Sequence, residues 1–310
     1  ESVVQAEHAL SERVRPQASD LQRAISLRHR GELINWMMQA FAVMRFDDAF
    51  LHSVVLTLDR YYALCAAPIE VQTIQRVLLS AVCTEMKLAG QDFPTNSRLQ
   101  ALRQLCHGGV SLEAILQTEF EVLSRLSFVV GVPTPVTFLR ELGLRLRETG
   151  SEEEQQAGKE AFDQALFLLE LAFFEPYEEY ARPHAFLAAG ALSAALRVLE
   201  DKYQGERCGP ERRQQLFEDL ALYYQDKVSC VEVDTQVLDC EESLLKLWLA
   251  RAAGWGGCEW GDFYANVEAK FARRGVHLYQ HGRGGISVAE GALARCRQER
   301  SGEATWHGVV

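Results

Sequence analysis

Between residues 28 and 139, apolar residues recur at helical spacing in successive blocks, and the breaks between blocks are only a few residues long. Leu33, Trp36, Met37, Ala40 and Phe41 fall along one side of a first helix. Phe50, Val54, Leu58 and Tyr61 mark a second, and Ile74, Val77, Leu78, Ala81 and Val82 a third. The breaks at Phe46-Asp47-Asp48, Ala66-Ala67-Pro68, 92–96 and 107–111 carry the turn chemistry that joins antiparallel neighbours. A further helix over 112–126 has Ile115, Leu116, Leu123 and Leu126 as its expected inward stripe, interrupted by Glu119. Short connections between amphipathic helices predict a bundle of five.

The pattern then stops and restarts. Pro133-Thr134-Pro135 ends any helix, and Thr134 followed by Pro135 reads as an N-cap with proline in the first turn; a Thr-Pro pair is also a phosphorylation motif. Phe138, Leu142 and Leu146 mark the next helix. Ser151 with Glu154 forms a capping box, and its acidic triplet favours the helix dipole without any need of a ligand. Phe162, Ala165, Leu166, Leu169, Leu171 and Phe173 lie along the helix that follows, up to Pro176. The run Ala188-Ala189-Gly190-Ala191, with Ala194 and Ala195, suits a central helix that its neighbours approach closely. Helices over 210–227 and 235–252 complete a second set of five, an internal duplication with a period of about 110 residues.

Shorter elements flank the two sets. Before them, Val3, Ala6, Leu10 and Val14 line a helix too short to be stable unless it lies on something. After them come a helix over 260–274, a glycine-rich turn at Gly282–Gly285 with no strand before it, a short helix capped by Ser287 and Glu290, and a frayed tail past Ser301.

Composition narrows the function. With 48% hydrophobic and 24% charged residues in 310, the chain has the make-up of a folded protein of two domains. It has no run near the roughly 20 apolar residues of a membrane span, and no charged leader followed by an apolar core. Its net charge of -11 argues against general nucleic-acid binding, which needs clustered Lys and Arg, and favours protein partners. The eight cysteines form no C-x-x-C pair and read as small buried hydrophobes in a reducing compartment. Nucleotide-loop, zinc-protease and serine-hydrolase signatures are absent, and His277 with His281 lacks a third metal ligand. Helices without a catalytic constellation imply a binding module.

Two charges stand out within the first set. Arg30 opens the first helix and Asp59 sits among apolar neighbours in the second. Periodicity leaves two readings open, an internal ion pair or two solvated charges. The order Arg30, Trp36, Asp59-Arg60, Lys87, Glu119, Phe128 and Pro133-Thr134-Pro135 resembles the first cyclin box, and this favours the pair. Residues 176–199, a Pro-Tyr-x-x-Tyr segment followed by an Ala-rich helix, resemble the second box of A- and B-type cyclins, and 269–277 resembles their closing stretch. The resemblance implies an all-α fold: two tandem five-helix cyclin-box bundles over 28–132 and 133–255, an N-terminal helix and lead-in over 1–27, and a C-terminal helical extension over 256–310.

It also implies a role, as the regulatory subunit of a cyclin-dependent protein kinase in cell-cycle control, nuclear or cytoplasmic, with no catalytic residue, cofactor or metal of its own. By position, Lys87 and Glu119 would hydrogen-bond the kinase near its mobile C-helix, with Leu88, Phe120, Leu123 and Phe128 as the apolar contacts. The N-terminal helix would pack across the second box. In A- and B-type cyclins an M-R-A-I-L segment and a Trp on the first helix hold Arg-x-Leu motifs. Here the matching residues are His29, Glu32, Leu33 and Trp36, with Gln75 on the third helix, so the methionine and isoleucine positions are polar and docking is expected to be weak. Other departures are Leu88-Ala89-Gly90-Gln91 where acids follow the lysine, Arg76 where leucine is usual, and 108–113, which resembles U/P-type cyclins. Two further classes share the tandem fold, a transcription factor of the TFIIB-like class and a retinoblastoma-like peptide-binding scaffold; the acidic charge weighs against the first.

Overall fold

The computed structural model describes residues 3–90, 97–105, 109–147, 152–200, 211, 213–216, 218, 230–252, 261–274 and 283–301. Every regular element among the described residues is helical: α1 (Val3–Val14), α2 (Ala18–Ala24), α3 (Leu27–Val43), α4 (Asp48–Ala63), α5 (Val71–Leu88), α6 (Ser97–Leu105), α7 (Leu112–Arg125), α8 (Pro135–Arg147), α9 (Glu152–Ala172), α10 (Pro176–Ala181), α11 (His184–Leu199), α12 (Cys230–Ala252), α13 (Gly261–Ala272) and α14 (Arg283–Arg300). The chain divides into two compact units, one of Ala9–Thr134 and one of Pro135–Val310 with the start of α1. No helix among the described residues is long and apolar enough to cross a membrane.

In the first unit, α4 packs against α2, α3 and α5, and α5 packs in turn against α6 and α7. Surrounded in this way, α4 buries every side chain from Val54 to Tyr62, and α5 every one from Val77 to Met86. Side-chain caps fix where three of the helices begin. Ser26 Oγ accepts from His29 N–H at 3.1 Å, Asp47 Oδ1 from Ala49 N–H at 2.8 Å, and Ser111 Oγ from Ala114 N–H at 3.1 Å. The expected stripe of α3 is rotated: Ile34, Met37, Met38, Ala40 and Phe41 are buried, whereas Leu33 and Trp36 lie half-buried at its margin. Buried Arg30 takes the inward direction that Leu33 and Trp36 would otherwise share.

α11 is the centre of the second unit. All sixteen of its residues are buried, against α8, α9, α12 and α14. A Cβ on Gly190 would sit 2.5 Å from Cys240 Cβ and 2.9 Å from the Glu241 backbone nitrogen, so only glycine permits this approach of α11 to α12. The helix expected over 210–227 lies largely outside the described residues, as do Ser151, the tail past Ser301, and His277 with His281. Thr134, directly before Pro135 at the start of α8, is buried, which favours the cap over an accessible phosphorylation site.

The last helix differs from its expected form. It begins at Arg283, so Gly284 and Gly285 occupy its first turn and Ser287 is an exposed interior residue rather than a cap. Ala289, Ala292, Leu293 and Cys296 are buried, and this packing outweighs the low helix propensity of the glycines. A polar network reinforces it. Buried Arg197 of α11 binds Glu241 of α12 and reaches Glu299 of α14 at 2.8 Å, while Ser193 Oγ donates to Glu241 at 2.7 Å. Glu242 accepts from Lys246 at 2.9 Å, from Arg297 at 3.0 Å and from Arg300 at 2.6 Å. Led by the Lys246 hydrogen bond, and against the cost of burial, these donors hold the Glu242 carboxyl at about 2. The ionised form is therefore the one that fastens α14, a contribution present above the ordinary carboxylate range and lost as pH falls toward 2.

The described cysteines 65, 83, 240 and 296 are free and buried. Burial pushes the Cys83 thiol up to about 12, far from a reactive thiolate.

Candidate functional site

The end of α5 and the length of α7 form a surface in which a few polar groups are buried and several large apolar groups are exposed. Thr118, Glu119 and Val122 of α7 are buried beside Ile115, whereas Leu116 and Phe120 are 40% and 65% exposed. This corrects the expected stripe, since Leu116 does not face the core and Leu123 is only half-buried. The cause lies on α5. Ser80 Oγ donates to the Ile115 carbonyl at 2.9 Å, and Thr84 Oγ1 donates to Glu119 Oε1 at 3.2 Å. Lys87 Nζ closes on Glu119 Oε2 at 2.6 Å. A carboxylate that finds two donors on one facing helix is cheaper to bury than to leave without them, and its position fixes the rotation of α7.

That rotation turns an apolar ridge outward. Leu116, Phe120 and Leu123 are spaced i, i+4, i+7, and Phe128 lies past the end of the helix, 59% exposed, with its ring 6.2 Å from that of Phe120 in a T-shaped contact. Leu88, 50% exposed, stands at the end of α5 next to Lys87. Lys87 itself keeps 39% of its side chain exposed, while Glu119 keeps 8%. An ion pair rimmed by exposed aromatic and aliphatic side chains is the composition of a protein-protein contact: apolar anchors around a specific charged group. Sequence reasoning placed Lys87, Leu88, Glu119, Phe120, Leu123 and Phe128 here but missed Thr84 and Leu116. Thr84 stands three residues before Lys87, so the spacing that puts both on one face of α5 was the available signal.

Arg30 and Asp59 form a separate, buried feature. Arg30 Nε and the terminal Nη2 meet the two Asp59 carboxylate oxygens at 2.8 and 2.6 Å, a bidentate pair between α3 and α4 with side-chain exposures of 3% and 1%. Two residues before Asp59 on α4, Thr57 Oγ1 donates to Glu85 of α5 at 2.7 Å. Burial raises the Glu85 carboxyl pKa, with that bond and the Arg60 charge opposing the shift. On the outer side of α3, His29 and Glu32 are exposed and Leu33 and Trp36 half-buried, while Gln75 is exposed on α5. Glu32 is engaged by Arg28 at 3.1 Å in an exposed pair. Among the described residues no group of His, Cys, Asp and Glu is arranged to hold a metal.

Residues 2–131 match the family model of the cyclin N-terminal domain. This segment is a cyclin box. The chain is 25% identical over 187 residues to Cyclin-B2-2 of Oryza sativa subsp. indica, a match covering 60% of this chain and 41% of that relative. In fold it is similar to a viral cyclin from herpesvirus saimiri, with a TM-score of 0.55 and 16% identity over 79% of this chain and 97% of that one. It is similar also to a chain in the CAK complex of Chaetomium thermophilum bound to ATP-gamma-S, with a TM-score of 0.50 and 17% identity over 98% of this chain and 92% of that one. Helices α1 to α7 all fall within the matched segment, so the α5–α7 surface and the Arg30–Asp59 pair both lie inside it.

The two features predict different losses. Arg30→Ala or Asp59→Ala deprives one buried charge of its bidentate partner and should lower the unfolding free energy by about 3 kcal/mol, read from denaturant midpoints. Removing both charges together for apolar residues of similar volume should cost less than either single change. A single variant as stable as the parent would show that the pair is solvated.

Proposed function

We propose that this cyclin-box protein is the non-catalytic regulatory subunit of a cyclin-dependent serine/threonine kinase, acting in cell-cycle control in the nucleus and cytoplasm. The observation that carries the reading is the surface on α5 and α7: exposed Leu88, Leu116, Phe120 and Phe128 around the Lys87–Glu119 pair. In this reading the apolar ridge packs against the kinase C-helix and the Lys87 ammonium meets an acceptor on the kinase. The C-helix is then held inward, where its glutamate pairs with the lysine that orients the ATP phosphates. The chain supplies no reacting group. It changes the population of a kinase conformation, and the free energy for that change comes from burying the ridge.

The exposed face of α3 suits a cyclin whose grip on Arg-x-Leu motifs is weak. A leucine pocket lacking two apolar walls forgoes about 1.5 to 3 kcal/mol for each side chain it would have buried. Glu32 and His29 bring polar groups whose desolvation adds a cost.

A cognate kinase, recovered by affinity capture on this chain, should phosphorylate a test substrate in the mixture and not alone. Lys87→Glu and Glu119→Lys should each weaken the complex by about 30-fold or more, corresponding to ~2 kcal/mol in a desolvated contact; equal phosphorylation with and without the chain would end the proposal. Arg-x-Leu peptides should bind poorly until His29→Met and Glu32→Ile are introduced together, and tight Trp36-dependent binding to the parent chain would overturn that part alone.

A further inference from the structure

Among the described residues, three helices of the first box end in the same way, and the third departs from the other two. In each, the residue after the C-cap is left-handed: Gly90 after α5 with φ 68°, Arg45 after α3 with φ 55°, and Ser127 after α7 with φ 53°. At α3 and α7 the full double bond of a Schellman cap is present. Arg45 N–H donates to the Ala42 carbonyl at 3.2 Å and Phe46 N–H to the Phe41 carbonyl at 3.0 Å; Ser127 N–H donates to the Ser124 carbonyl at 3.0 Å and Phe128 N–H to the Leu123 carbonyl at 2.8 Å. Both caps therefore carry a non-glycine residue where glycine is usual, and both are followed by a phenylalanine.

The two phenylalanines have different surroundings. Phe46 packs on Phe41 and stacks on Phe50, with ring centroids 5.1 and 4.4 Å away, so the first cap closes an aromatic cluster. Phe128 is itself left-handed, with φ 57°, and remains 59% exposed. Capping α7 does not require that second left-handed residue, because the cap is complete with Ser127. A bulky side chain in this region of φ is strained, and the turn it completes carries one backbone hydrogen bond in return, from Val129 N–H to the Leu126 carbonyl at 3.1 Å. What the conformation does is set the Phe128 ring edge-on to Phe120. The same turn then runs to Gly131, also left-handed, where a Cβ would meet Leu88 Cδ1 at 3.9 Å. The segment thus connects the outer ridge of α7 with the apolar end of α5.

We propose that the left-handed pair Ser127–Phe128 is a positioning device that holds the Phe128 ring upright beside Phe120 in the free chain, so that the kinase meets a preformed aromatic step. This rests on the reading of the α5–α7 surface as the kinase contact. Ser127 touches no reacting atom; it acts through Phe128. Ordering the ring before association removes a cost that would otherwise fall on binding, and the strain stays in the free chain instead.

Substitutions at Ser127 separate the device from the contact, because both phenylalanines stay in place. Asparagine tolerates the left-handed region and a β-branched residue does not. Ser127→Asn should keep kinase affinity within about twofold, whereas Ser127→Val should weaken it about tenfold or more while the chain keeps its helicity, with Phe128→Ala as the reference for losing the ring. If Phe128→Ala weakens binding and Ser127→Val does not, the positioning inference fails and the kinase reading stands. If Phe128→Ala has no effect, both fail. A measurement on the unaltered chain guards against a misfolded variant: hydrogen exchange should find the Phe128 amide protected before any partner is added, and exchange at the unprotected rate would overturn the inference.

Discussion

The buried carboxylate of Glu119 determines which side of α7 faces solvent. Thr84 and Lys87 on α5 supply its donors, and Ser80 ties the Ile115 carbonyl to the same helix, so α7 can sit in only one rotation. In that rotation Thr118 and Glu119 point inward and Leu116 and Phe120 point outward. Ile115 and Val122 share that inward face, so the helix buries apolar and polar groups side by side. The exposed apolar ridge is thus maintained by a polar contact behind it, and the groups that present the surface to a partner are the groups that fix the helix.

Each unit also contains a buried arginine bound to a carboxylate on a neighbouring helix: Arg30 with Asp59 in the first, Arg197 with Glu241 in the second. Such pairs are costly to desolvate and expensive to break, so they add less to stability than to the definition of one helix register. In the second unit the network continues through Glu299 and Arg213 to Glu200, and it joins the last helix to the centre of the fold. The segment that reads in sequence as a C-terminal extension belongs to the second compact unit.

Much of this was legible in the sequence because helical periodicity and turn residues report burial directly. The blocks at 50–61 and 74–82 fall on α4 and α5, which are buried on every side from Val54 to Tyr62 and from Val77 to Met86, and the Ala-rich run at 188–195 coincides with the fully buried α11. The errors have physical causes. The stripes of α3 and α7 were misjudged because Arg30, Thr118 and Glu119 are polar residues made compatible with the interior by partners on other helices, which a one-dimensional pattern does not contain. The start of α14 was misplaced because its glycines signal a break, while the packing of Ala289 and Cys296 extends the helix through them. The site residues Lys87, Glu119, Phe120 and Phe128 are located through resemblance; the spacing of Thr84 and Lys87 is the one sequence signal for Thr84, and no pattern marks Ser127 and Phe128 as left-handed.

The central claim is that the α5–α7 surface is where this cyclin-box protein engages a kinase. Hydrogen exchange on the chain, free and saturated with a captured kinase, reads this directly. The account predicts new protection concentrated in the last turn of α5, in α7 and across 127–131, with α12 and α14 unchanged. Protection confined to the second unit, with α7 exchanging as it does in the free chain, would contradict it.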